Sequence, residues 1–147
     1  MQISDFLSPS DVLVNVRATD KEQLLQELAA KATANVNIPA DRIASELLKR
    51  EGLGSTGMGG GVAIPHARFP EMKKPFGLLA RLKPPIKFDA IDGQPVDLIF
   101  VLLLPAAAEG EQLGALACVA RKLRAADDVA KLRRARNQFE LYAALTS

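Results

Sequence analysis

The sequence predicts an α/β protein: a three-layer α/β/α sandwich with a small mixed sheet, formed by residues 1–147 as a single domain. Three observations lead there. Val96-Asp-Leu-Ile-Phe-Val-Leu-Leu-Leu104 is the most hydrophobic run in the chain, and its near-continuous apolarity suits a central strand covered on both faces. Apolar residues recur at helical spacing before and after it, over 24–32, 43–48 and 113–123. Strand and helix signals mix without a linker-like segment or an internal repeat, as expected of one layered unit.

Taken in order, Ile3, Phe6 and Leu7 stand at helical spacing in a segment ended by Ser8-Pro9, and Val12-Leu-Val-Asn-Val16 is a first strand candidate. Thr19 with Glu22 reads as a capping box, so a helix starts there with Leu24, Leu25, Leu28, Ala29 and Ala32 on its apolar face. Pro39 marks the start of another, in which Ile43, Ala44, Leu47 and Leu48 keep helical spacing until Gly52 and Gly54 stop it, leaving Arg50 at its end. Val62-Ala-Ile-Pro65 is a short extended segment, because proline disfavours the helical region for the residue before it. Arg68 to Pro75 is a proline-punctuated connection. Phe76 to Leu82 is predicted as a strand ended by Pro84-Pro85, and Asp92-Gly93 as a turn ahead of the strand 96–104. A helix over Gln112 to Leu123 is expected to face the core with Leu113, Leu116, Ala117, Ala120 and Leu123, with Cys118 beside them as a small core residue. Two shorter helices follow, Asp128 to Arg134 and, capped by Asn137 with Glu140, Phe139 to Leu145.

Composition bounds the class. With 147 residues and 48% apolar content the chain can bury roughly two-thirds of its unfolded surface, which excludes disorder and fibre. Nineteen basic and 17 acidic residues are well mixed and give a net charge of +2, which argues against a nucleic-acid partner held by charge. Arg121, Lys122, Arg124, Lys131, Arg133, Arg134 and Arg136 form a basic stretch, but Asp127 and Asp128 interrupt it and it reads as a solvated helix face. A single cysteine cannot close an intramolecular disulfide, and neither a basic-then-apolar leader nor a run long enough for direct membrane insertion is seen, so a cytoplasmic location is expected.

The chemistry is expected in Gly52-Leu-Gly-Ser-Thr-Gly-Met-Gly-Gly-Gly-Val-Ala-Ile-Pro-His66, which puts six glycines and two hydroxyls just ahead of the only histidine. Glycines let backbone N–H groups approach a ligand closely, so the run reads as a loop around something small and anionic. Gly52, Gly54 and Gly57 formally match G-x-G-x-x-G, yet a helix precedes them and an extended segment follows, the reverse of a dinucleotide fingerprint. No G-K-[S/T] is present for a P-loop. One histidine and one distant cysteine cannot supply three or four metal ligands, so neither metal nor cofactor is expected, and Ser55 has no G-x-S-x-G elbow around it. A lone histidine is ordinarily a structural residue. Here its setting suits phosphoryl acceptance: neutral imidazole is nucleophilic near pH 7, and Arg50, Ser55, Thr56 and the glycine amides, Gly57 among them, could stabilise the oxygens of a loose in-line transition state.

Arg50-Glu-Gly-Leu-Gly-Ser-Thr-Gly through Ala63-Ile-Pro-His66 resembles the active-site signature of the fructose/mannitol-type IIA domains of the bacterial phosphoenolpyruvate phosphotransferase system. Phe88-Asp-Ala-Ile-Asp-Gly-Gln-Pro-Val-Asp-Leu-Ile-Phe100 resembles its nitrogen-regulatory branch, and the likeness extends over nearly the whole chain. The resemblance implies a stoichiometric phosphohistidine carrier: His66 phosphorylated on the ring nitrogen remote from the backbone by an HPr-like (NPr) phosphocarrier, with Arg50 contacting the phosphoryl group. It also implies regulated target proteins such as kinases or transporters, bound according to phosphorylation state. A sugar-specific IIA component and a protein-binding regulator with little phosphotransfer remain the alternatives. Where the family commonly has a second histidine in a His-Leu-x-x-Leu pattern, this chain has Gln112-Leu-Gly-Ala-Leu116. Gln112 is either a hydrogen-bond donor to a phosphoryl oxygen or an exposed helix-start residue.

Overall fold

Strand β6 (Val96–Pro105) is the spine of a six-stranded mixed sheet. The computed structural model describes residues 1–107 and 109–147, and for 109–112 the backbone alone. On one side β6 pairs antiparallel with β5 (Phe76–Ile86), which pairs parallel with β1 (Val12–Val16). On the other it pairs parallel with β3 (Val62–Ala63) and then with β4 (His66–Phe69), while β2 (Gly57–Gly59) closes the edge antiparallel to β3. Successive strand residues point to opposite faces. Ile99, Val101 and Leu103 accordingly join the core under α1 (Lys21–Val36) and α2 (Ala40–Gly52), whereas Leu98, Phe100, Leu102 and Leu104 join the core under α3 (Glu109–Arg124), α4 (Ala126–Arg134) and α5 (Gln138–Thr146). Both faces of β6 are covered, so its apolarity is continuous, and the α/β fold with helices on both faces of a mixed sheet is observed as predicted.

The apolar faces of α1 and α2 match the spacing: Leu24, Leu25, Leu28, Ala29, Ala32, Ile43, Ala44 and Leu47 are buried, and Asn137 caps α5 by accepting from the Glu140 amide at 2.9 Å. Four details differ. The α1 cap is Asp20, one residue later than expected: its carboxylate accepts from the Gln23 amide at 2.8 Å, while the Gln23 side chain accepts from the Thr19 amide at 3.1 Å. Strand β5 runs through Pro84-Pro85 instead of stopping before them. The β1 ladder ends at Leu82 and the β6 register shifts between Arg81 and Ile86, so the prolines occupy a bulge where no regular ladder N–H is required. The 68–75 connection is shorter than expected, since β4 includes Arg68 and Phe69. In α3 the buried stripe is Ala115, Val119 and Leu123, while Leu113 and Ala117 face solvent. Small or apolar residues fill 113–120, so the spacing left the stripe's exact centre open: Leu123 is buried and Leu116, Cys118 and Ala120 pack against the core as expected, while Ala115 and Val119 take the centre in place of Leu113 and Ala117. Among the described residues no helix is long and apolar enough to cross a membrane.

Candidate functional site

β3 and β4 form one interrupted strand beside β6. Between them Pro65 has no N–H, but its carbonyl accepts from the Leu102 amide at 2.9 Å, and His66 pairs with Leu102. His66 is thereby mounted against the central strand of the sheet. Its ring turns back on the chain: Nδ1 lies 2.9 Å from the Ile64 carbonyl oxygen. A carbonyl can only accept, so Nδ1 holds the proton and the neutral ring presents its lone pair at Nε2. Burial is the largest influence on its pKa and pushes it below the usual 6.5; the Ile64 carbonyl and the Glu51 charge oppose this, and the Arg50 and Arg68 charges reinforce it. A pKa below 6.5 favours the unprotonated imidazole at neutral pH.

The ring borders an open hollow of about 330 Å³ lined by Glu46, Lys49, Arg50, Leu53, His66 and Arg68. Three cations against one carboxylate favour an anion there. Arg50 comes from the last turn of α2, and its Nη1 donates to the Gly54 carbonyl at 2.7 Å, which steers the guanidinium along the glycine loop. Arg68 was not anticipated. The available signal was its position two residues after His66 in an extended segment, since a strand returns to the same side every second residue.

The loop itself is tied up internally. The Ser55 hydroxyl donates to the Phe88 carbonyl at 2.8 Å and accepts from the Gly57 amide at 3.0 Å. The Thr56 amide donates to Glu51 Oε1 at 3.1 Å and its hydroxyl donates to Glu51 Oε2. The amides of Gly54 and Gly60 are also engaged, with the Glu51 carbonyl at 3.1 Å and Asp92 Oδ2 at 3.0 Å. Gly57 is needed for a second reason, because a Cβ there would stand 2.7 Å from that of Ala90. Ser55, Thr56 and Gly57, expected from sequence as phosphoryl donors, thus have their donors on protein acceptors in this structure, and their visible work is to shape the loop. Gln112, the remaining candidate, lies outside the residues whose side chains are described.

Sequence reasoning missed the residue that organises this loop. Glu51 has a side chain only 3% exposed and takes three donors, the two from Thr56 and Lys21 Nζ at 3.1 Å. The available signal was its sign: a carboxylate in the last turn of a helix opposes the helix dipole and needs compensation from elsewhere. Arg133, grouped above with a solvated basic face, is also committed. Its Nε and Nη2 hold Asp97 and its Nη2 donates to the Gly60 carbonyl at 2.6 Å, pinning the β2–β3 hairpin from α4. No group of three or more His, Cys, Asp or Glu able to hold a metal ion occurs among the described residues.

Comparison with known proteins identifies the family. Residues 5–147 match the family described as phosphoenolpyruvate-dependent sugar phosphotransferase system, EIIA 2. The chain is 46% identical over 145 residues to a nitrogen regulatory protein of Bradyrhizobium diazoefficiens, covering 99% of this chain and 95% of that one. It is 40% identical over 143 residues to the nitrogen regulatory protein of Pseudomonas aeruginosa, covering 97% and 93%. Among solved structures it superposes on the nitrogen regulatory protein IIA-Ntr of Neisseria meningitidis with a TM-score of 0.93 at 35% identity, covering 98% of this chain and 99% of that one. The neutral, anchored histidine beside clustered cations therefore stands in a chain that belongs to the EIIA type 2 family of the phosphotransferase system, in its nitrogen-regulatory branch.

Proposed function

We propose that the protein is a phosphocarrier: His66 accepts a phosphoryl group at Nε2 from the phosphohistidine of an HPr-like carrier, and the phosphorylation state governs binding to regulated proteins, kinases or transporters among them. The observation that supports this most directly is the 2.9 Å contact of Nδ1 with the Ile64 carbonyl, which leaves Nε2 as the nucleophilic nitrogen at the edge of the cationic hollow. In the transfer, the Nε2 lone pair forms the new N–P bond as the donor's N–P bond breaks and its electron pair returns to the donor ring. The proton stays on Nδ1, which goes on donating to the Ile64 carbonyl. Arg50, with Lys49 and Arg68, offsets charge on the equatorial oxygens, where preorganised donors act most strongly. Lys49, Arg50 and Arg68 against Glu46 leave the hollow with two net positive charges. A phosphoryl group of about −2 cancels them, so a partner meets a neutral face in place of a cationic one.

Incubation with phosphoenolpyruvate, enzyme I and an HPr-like carrier should add the mass of one phosphate, labile in acid and stable in base, and His66→Ala should abolish it. An acid-stable adduct, or one that survives the substitution, would place the acceptor elsewhere and overturn the reading.

A further inference from the structure

We propose that Glu51 is a positioning residue for the phosphoryl site, setting both the tautomer of His66 and the aim of Arg50 through the loop it closes. Each arm of the argument is a run of hydrogen bonds. Glu51 receives the Thr56 amide at 3.1 Å and the Thr56 hydroxyl; the Thr56 carbonyl receives the Ile64 amide at 3.2 Å; the Ile64 carbonyl receives His66 Nδ1 at 2.9 Å. In the other arm, the turn between Glu51 and Thr56 includes Gly54, whose carbonyl holds Arg50 Nη1 at 2.7 Å. The same carboxylate therefore anchors the acceptor for each of the two groups that meet the phosphoryl group.

Its placement supports such a role. A carboxylate 3% exposed at a helix C-terminus is costly unless fully satisfied, and one donor is brought from 30 residues away, Lys21 at the start of α1. Lys21 is itself held, over the Phe88 ring at 4.6 Å, and Phe88 in turn offers its carbonyl to Ser55. A loop that needed only closure could be closed by Thr56 and backbone contacts. Importing a lysine to keep a buried charge there makes sense when that charge fixes geometry next door. Two oxygens on one residue, receiving an amide and a hydroxyl from another, leave Thr56 little freedom to rotate, and its carbonyl direction follows.

The inference rests on the phosphocarrier reading for its effect on rate, but not for its effect on the ring. Glu51→Gln and Thr56→Val are compared with the parent by ¹⁵N NMR of the His66 imidazole and by transfer from a phosphorylated HPr-like carrier. In the parent, His66 should be almost wholly the Nδ1–H tautomer. In both variants the two tautomers should mix and transfer should slow at least tenfold. Removing the Glu51 charge should also lower the His66 pKa further, since Arg50 and Arg68 then act without that opposing carboxylate and the Ile64 contact alone raises it, with Lys49 and Glu46 also lining the hollow. That downward shift follows from the lost charge alone, so the tautomer ratio carries the test of positioning. A parent-like tautomer ratio in both variants would overturn the proposal, even if His66 proved never to be phosphorylated. Should Glu51→Gln fail to fold, Thr56→Val, which keeps the Lys21–Glu51 pair, decides it.

Discussion

Replacing Arg50 by lysine separates geometry from charge at the phosphoryl site. The guanidinium spends Nη1 on the Gly54 carbonyl at 2.7 Å and keeps its other donors for the hollow, a division that a planar fork permits. A lysine ammonium is a point charge on a flexible stem. It can satisfy Gly54 or a phosphoryl oxygen, and its direction toward either is not fixed by the other. Loss of one preorganised, charge-assisted contact is worth about 2–4 kcal/mol in a transition state, a slowing of about 30- to 1,000-fold. Arg50→Lys should show that slowing in rapid-quench transfer from a phosphorylated carrier, with unchanged circular dichroism. Because the charge persists, the His66 titration should stay where it is in the parent. Arg50→Met, by contrast, should raise the His66 pKa, since the Arg50 charge lowers it. A parent-like transfer rate in Arg50→Lys would remove the fork from the mechanism and leave Arg50 as a cation complementing the C-terminus of α2.

The depressed pKa of His66 has two consequences. Transfer at pH 6.5 should stay above half its plateau, because the reactive ring is the neutral one and its pKa lies below 6.5; a rate already halved at 6.5 would contradict the burial argument. The same depression links to stability: in the window between the lowered folded value and 6.5 the unfolded chain binds more protons, so stability should fall as pH drops through that window, and His66→Gln should remove this slope in urea titrations. Gly57→Ala should destabilise by about 1–3 kcal/mol, because its Cβ would stand 2.7 Å from Ala90 Cβ and 2.8 Å from Ala90 Cα, and adding Ala90→Gly should recover only the Cβ share; a Gly57→Ala variant as stable as the parent in urea titrations would refute the close approach. Arg133→Met should cost about 1 kcal/mol, less at high salt, since its pair with Asp97 is partly exposed; a cost that grows with salt would exclude the ion pair as its origin.

What could be read in advance was what depends on neighbours in sequence. Leu24 to Ala32 and Ile43 to Leu47 declare their buried faces by spacing alone, and β6 declares burial on both sides because both sets of alternating residues are apolar. His66 and Arg50 stood out because their types are unusual beside so many glycines. The roles of Ser55, Thr56 and Gly57 did not, because the partners that occupy their donors are set by folding: Phe88 lies 33 residues from Ser55, and Glu51 is buried only when α1 supplies Lys21. A hydroxyl near a candidate nucleophile looks the same in sequence whether it faces a ligand or a carbonyl. The α3 phase was ambiguous for a different reason. Leucine, alanine and cysteine at nearly every position weaken a 3.6-residue period, and the choice falls to whichever stripe fits Leu102 and Leu104 beneath it.

A glycine-rich segment is commonly pictured as slack, but this one is moored from three places. From α4, Arg133 holds the Gly60 carbonyl; from the 90–94 turn, Asp92 holds the Gly60 amide and the Ile91 amide holds the Gly57 carbonyl; from β6, the amides of Asp97 and Leu98 hold the Gly61 carbonyl. Ordering a residue's backbone costs about 1–2 kcal/mol, and for this hairpin that cost is incurred when the chain folds. An anion arriving at the hollow finds the framework behind Arg50 and His66 already assembled, so its encounter proceeds without a disorder-to-order step in this hairpin.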